Sequence, residues 1–255
     1  MFLAYPPTTL LKLTAFPPTS FPLYRIFATM EARTPVYVPM GKDFDLQMDR
    51  YLEALKSRPK IAFLTSPHNP SGQLVSEADV RRVCEAAHED TLVVLDEAYI
   101  HYSETEGSVH LLREYSNLMV LRTFSKAFGL AGLRVGFGMS GNPALVEPLR
   151  RLKPTWNVGQ LQLAGAIAGL QDDAHVQRAV KTVVDMRAYV ADQMARMTRF
   201  RMVPHSRANF FLTEIVDPAL DSDSVFEGLL KRGVIVKNGN HIEGLGSRYL
   251  RVDLN

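Results

Sequence analysis

The stretch TLVVLDEAYI, residues 91–100, is a continuous apolar run that ends on two carboxylates, Asp96 and Glu97. Such a run, rich in β-branched and aliphatic residues, reads as a strand buried on both faces rather than one alternating between core and solvent. The pattern repeats outward in both directions. Upstream, KIAFLTSPHNPSG puts a strand at residues 61–65 and stops it with Pro67, Pro70 and Gly72. A helix at 76–88 follows, with Ser76 as its N-cap. Downstream, a short helix near 110–115 leads to the strand LMVLRTF at 118–124. Strand, helix, strand, helix, strand, with apolar strands, is the signature of a mostly parallel α/β sheet between helices on both faces. Ligands of such sheets bind beyond the carboxyl ends of the strands. Asn69, Asp96, Tyr99, Ser125 and Lys126 are therefore expected to converge on one edge.

Further out, an apolar run at 10–16 and the turn PPTSFPLY precede a helix at 23–31, a short strand at 36–40 and a helix at 45–56. Beyond Gly136, GFGMSG reads as a short strand and turn, antiparallel to its neighbour. Helices are expected at 143–152, 159–171 and 173–197 from apolar residues at helical intervals. The tail changes pattern: FRMVP, NFFLTEIV, a helix at 222–232, GVIVKN and YLRVDLN make an α+β unit. This divides the chain into a large domain, residues 1–158, and residues 159–255, which hold linking helices and a small C-terminal α+β domain.

A chain of 255 residues with net charge +2 and no Lys/Arg run gives no basis for a nucleic-acid or anionic-membrane partner. Cys84 is the single cysteine, which excludes an intrachain disulfide and suits a reducing compartment, the cytoplasm. No apolar run approaches the roughly 20 residues that span a bilayer. The N-terminal segment is interrupted by prolines and lacks a basic start, so it reads as neither signal peptide nor anchor.

The chemistry gathers around LRTFSKAFGLAGLRVG, residues 121–136. A lysine in a desolvated site can lose its proton and attack a carbonyl, which makes Lys126 a candidate Schiff-base former. The seven histidines are scattered without metal-ligand spacing, and neither a G-x-S-x-G elbow nor a P-loop is present. The converging set fits the electron-sink cofactor pyridoxal 5'-phosphate (PLP), which needs an amine and a carboxylate for its pyridine nitrogen. Asp96 suits that nitrogen, and Asn69 and Tyr99 suit the phenolate oxygen. Ser125 and Arg134 suit the phosphate. Phe21 can stack on the ring, and Lys126 can act as the general base.

SPHNPSG, DEAY and TFSKAFGLAGLRVG, in this order and at matching intervals, resemble the signature blocks of the class I/II, fold-type I PLP-dependent aminotransferases. Within that family the chain is most similar to the histidinol-phosphate aminotransferases, from about residue 18 to residue 251. The resemblance implies that Lys126 is the PLP lysine and that Phe21, Asn69, Asp96, Tyr99, Ser125 and Arg134 hold the cofactor. It implies Arg251 as the residue for the substrate's acidic group, with Lys237 where many members carry a second anion-binding arginine. Asn157, in KPTWNVGQ, matches a family element near the cofactor. It further implies transamination of amino-acid and keto-acid substrates, with L-histidinol phosphate and 2-oxoglutarate leading. Another class I/II aminotransferase or a threonine-phosphate decarboxylase-like enzyme are neighbouring readings, and an inactive shortened remnant is the reading from another class. A homodimer is expected. Family members also carry a further N-terminal part and a final helix that this sequence does not show.

Overall fold

The computed structural model describes residues 13–254. The first twelve residues of the proline-interrupted segment read above as neither signal nor anchor, and with them the start of the apolar run at 10–16, lie outside the described residues. The chain forms ten strands and seven α-helices among those residues. In order they are β1 (Leu13–Phe16), α1 (Pro22–Met30), β2 (Thr34–Tyr37), α2 (Met48–Leu55), β3 (Ile61–Thr65), α3 (Glu77–Ala86), β4 (Leu92–Asp96), β5 (Leu118–Thr123) and β6 (Gly136–Met139). Then come α4 (Pro143–Leu152), α5 (Gln160–Gln171), α6 (Asp173–Ala195), β7 (Phe200–Met202), β8 (Phe210–Ile215), α7 (Ser222–Leu230), β9 (Lys237–Asn238) and β10 (Tyr249–Asp253).

The larger sheet has the order β2-β1-β3-β4-β5-β6. Its first five strands are parallel, and β6 is antiparallel to β5. Thr65 stands level with Asp96, and Asp96 with Leu121. The loops after β3, β4 and β5 therefore leave the sheet from one edge, as the parallel rule requires. The smaller sheet is antiparallel, in the order β7-β8-β10-β9.

Side chains alternate across a strand. Ala62, Leu64, Val93, Leu95, Leu118 and Val120 form the main core with Tyr51 and Leu55 of α2 and Val80, Val83 and Cys84 of α3. Phe63, between Ala62 and Leu64, points to the opposite face, where Tyr24 of α1 stacks on it at 4.3 Å between ring centroids. Both faces carry helices, but unequally. Beside α1 an apolar cleft of about 390 Å³, lined by Phe27, Phe63 and Leu121, stays open.

The strand expected at 36–40 forms at Thr34–Tyr37 and the short helix expected near 110–115 is a 3₁₀ turn, Val109–Arg113; two further differences have identifiable reasons. The strand expected over 91–100 ends at Asp96. There Asp96 Oδ1 accepts from the Ala98 amide at 3.0 Å, and Glu97 turns inward to accept from Arg122 and the Ser108 amide. The chain then bends into a 3₁₀ turn, Ile100–Ser103. GVIVKN, read above as a segment of the α+β unit, forms a strand only at Lys237–Asn238. Gly233 adopts φ +78° at the end of α7, and the Val234 amide is spent on Leu229 O, which draws that segment into the helix terminus.

Candidate active site

The loops after β3, β4 and β5, together with the start of α1, enclose a cleft of about 310 Å³. Phe21, Asn69, Asp96, Tyr99, Ser125, Lys126 and Arg134 all line it. Seven residues spread over more than a hundred positions are thus delivered to one place by strand register. Arg134 sits in the left-handed region at φ +54°, directly after a 3₁₀ turn. Its Nη1 donates to Ala131 O at 2.8 Å and reaches Ser125 Oγ at 3.5 Å, so hydroxyl and guanidinium act at one point.

Asp96 is the anion of the cleft. Its Oδ2 accepts from the Tyr24 hydroxyl at 2.5 Å and its Oδ1 from the Ala98 amide. Burial pushes its carboxyl above the usual range, against the opposing pull of the Tyr24 bond, the Ala98 amide and the Lys126 charge. The Lys126 ammonium lies 4.9 Å from the Tyr99 ring centroid. Burial and the cationic Arg251 and Arg134 hold the Lys126 amine below its ordinary value, while Asp253 and Asp96 oppose them. An amine so placed is closer to the neutral, nucleophilic form. Tyr99 is buried edge-on against Phe210, and burial raises its hydroxyl above the ordinary value.

Arg251, from β10, joins this arrangement from the small sheet. Its Nη1 donates to Asn69 Oδ1 at 2.9 Å, its Nη2 to Asp253 Oδ1 at 2.7 Å, and its guanidinium lies 4.5 Å from the Phe210 ring centroid. Lys237 stands opposite Arg251 in the β9–β10 register. Both face a second cleft of about 480 Å³ that shares Phe21 and Asn69 with the first. Burial and the Arg251 charge hold the Lys237 amine below its ordinary value. Asn157 is the exception among the expected site residues: it is exposed, between α4 and α5, and lines neither cleft.

Tyr24 and Asp253 are the partners that the sequence reading missed. The signal for Tyr24 was available. It closes the SFPLY turn three positions after Phe21, so both fall on one side of the first turn of α1. Asp253 sits two positions after Arg251 on the same strand face, a spacing that invites a carboxylate–guanidinium pair. Among the described residues no cluster of metal-ligating side chains occurs, and no helix is long and apolar enough to cross a membrane.

Comparison with known proteins gives the family. The family model described as aminotransferase class I and II matches residues 12–254. The histidinol-phosphate aminotransferase of Methanocaldococcus jannaschii is 35% identical over 241 residues, covering 93% of this chain and 63% of the relative. The crystal structure of the histidinol-phosphate aminotransferase from Clostridium acetobutylicum superposes with a TM-score of 0.90 at 19% identity, over 96% of this chain and 74% of that one. The Sinorhizobium meliloti histidinol-phosphate aminotransferase, solved in complex with pyridoxal-5'-phosphate, gives 0.83 at 24% identity, over 94% and 64%. The chain spans about three fifths of the length of the curated relatives it matches.

Proposed function

The chain belongs to the class I and II aminotransferases, and from that membership we propose that it binds PLP at Lys126 and transfers an amino group between L-histidinol phosphate and 2-oxoglutarate. The observation that carries the reading is the convergence of an amine, a buried carboxylate, an amide, two aromatics, a hydroxyl and a guanidinium on one 310 Å³ cleft. That donor set fits PLP group by group, and the family's chemistry and the named relatives support the same assignment.

Bound PLP supplies an electron-accepting ring that takes up negative charge from the substrate's α-carbon. The rest is the work of this chain's residues. Asp96, fixed through both oxygens, presents a buried anion that favours a protonated pyridine nitrogen. A guanidinium can only donate, so Asn69 must turn Oδ1 to Arg251 and keep its N–H groups for the phenolate oxygen. Tyr99 offers its hydroxyl to the same oxygen. Ser125 and Arg134 offer a hydroxyl and a permanent cation to the phosphate. Phe21, which lines the cleft, would stack on the ring. The Lys126 amine, already held toward neutrality, is the base that moves the proton at the substrate's α-carbon. Arg251 and Lys237 receive the substrate's acidic end.

Titrating the protein with PLP tests the cofactor assignment. A visible absorbance band is expected, lost in Lys126→Ala, and borohydride reduction should fix the cofactor's mass on the peptide containing Lys126. A flat spectrum in the unaltered chain would leave a folded relative without cofactor chemistry. Substrate choice is tested by comparing histidinol phosphate, phenylalanine and threonine phosphate. Turnover of either of the last two without the first overturns the histidinol phosphate assignment.

A further inference from the structure

We infer that His241 is a specificity-determining residue of the second cleft, supplying the third donor that favours a phosphate monoester over a carboxylate. The inference rests on the reading that the substrate's acidic end meets Arg251 and Lys237. His241 lines the same cleft as those two residues, and no carboxylate is among its described lining residues. Lys237 makes no ion pair among the described residues. Arg251 is 7% exposed, and its Nε is buried without a hydrogen-bond partner. The nearest counter-charge, Asp253, is spent on the Nη2 of Arg251. The cleft is therefore short of acceptors, and an anion is what it lacks.

The number of donors decides which anion. A carboxylate offers two oxygens, and Arg251 with Lys237 already matches them. A phosphate monoester offers three terminal oxygens, and an imidazole presents an N–H in either protonation state. The turn that carries His241 is built to hold it in place. Asp223, at the start of α7, accepts from Asn238 Nδ2 at 2.6 Å and from Asn240 Nδ2 at 2.8 Å, gripping the 3₁₀ turn Gly239–His241 from both sides. A Cβ on Gly239 would overlap the Tyr249 carbonyl, so the turn rests directly on the backbone of β10, one strand position from Leu250 and two from Arg251. Beyond it, Glu243 pairs with Arg25 of α1 at 2.5 Å, which ties the far side of the turn to the helix that begins after Phe21.

The test is binding of methyl phosphate and of acetate to the full chain, by calorimetry and by the imidazole resonances of His241. His241→Ala is expected to weaken methyl phosphate about tenfold and acetate less than about twofold, the loss of one charge-assisted hydrogen bond. His241→Gln, which restores an N–H donor, should recover most of the methyl phosphate affinity. His241 is exposed, so neither substitution is expected to unfold the chain. Equal weakening of both anions, or no weakening in His241→Ala while Lys237→Ala weakens both, overturns the role of His241 and leaves the anion pocket standing. Binding of neither anion by the unaltered chain overturns the pocket reading itself, and this inference with it.

Discussion

The Asp96 carboxylate shows how much of the site depends on a single hydroxyl. Burial alone favours its neutral form, and the Tyr24 bond, the Ala98 amide and the Lys126 charge oppose that. Tyr24 is held for this task by stacking on Phe63 and by a second contact to Thr65 Oγ1 at 3.1 Å. Tyr24→Phe keeps the ring and removes the hydroxyl, so the Asp96 carboxyl should rise further. PLP affinity should fall about tenfold, the worth of one hydrogen bond to a charged group. Carboxylate ¹³C shifts followed against pH, with a PLP titration alongside, report both; an unmoved Asp96 midpoint would remove Tyr24 from the argument. The sign for stability follows from the same shift. A carboxyl raised in the folded state contributes stability below its unfolded value and loses it as pH rises through the folded one. Asp96→Asn is therefore expected to make the cofactor-free protein more stable to urea near neutral pH while weakening PLP binding. A loss of urea stability in that variant would count against the burial argument.

The loop between β3 and α3 carries a second ionisable group whose charge state governs an element. His68 is buried, with Nδ1 2.9 Å from Ser71 Oγ and Nε2 3.4 Å from Ser20 Oγ, and it joins this loop to the turn before Phe21. Burial carries its imidazole down to about 4 from 6.5, against a bond to the Thr19 backbone. A depressed histidine contributes stability above its unfolded value and loses it as pH falls through the folded one, so the window lies between 6.5 and about 4. The neutral imidazole thereby contributes roughly 3 kcal/mol above that window. Urea unfolding at several pH values should show the unaltered chain losing stability across that window relative to His68→Asn; parallel curves would refute it. Elements of this kind were legible where local signals bound them. Strand β3 ends where Pro67 follows, and α4 starts at the Asn142 cap, which accepts from the Ala144 amide, with Pro143 as its first residue. Strand β4 was overread because its end is set by Glu97 reaching Arg122, 25 positions away, and β9 is short because Gly233 lies in the left-handed region. That Asn69, Asp96, Tyr99, Ser125 and Lys126 gather on one cleft was legible because strand ends order them. Asn157 was not, since a local motif says nothing about where an exposed segment between two helices sits.

At the scale of the molecule the helices after β6 raise a different question. Helix α4 buries none of its residues and α5 only Ala166. Leu152, Trp156 and Leu161 are 79%, 90% and 83% exposed, and Leu163, Ile167 and Leu170 continue the apolar surface along α5. Isolated helices of about 12 residues are marginal in water, and packing of an apolar face supplies most of their stability. A surface of this kind marks an interface or an aggregation liability. The expected partner is a second copy of the chain, and the sole tryptophan lies within the surface concerned. Light scattering should show concentration-dependent self-association, accompanied by a blue shift of Trp156 emission as its indole leaves water. The double variant Leu152→Glu, Leu161→Glu, which places like charges on either side of Trp156 within the patch, should shift the equilibrium to monomer and restore the emission of an exposed indole. Association that persists in the double variant with Trp156 emission unchanged would place the contact elsewhere, with the apolar cleft beside α1, lined by Phe27, Phe63 and Leu121, as the next surface to substitute.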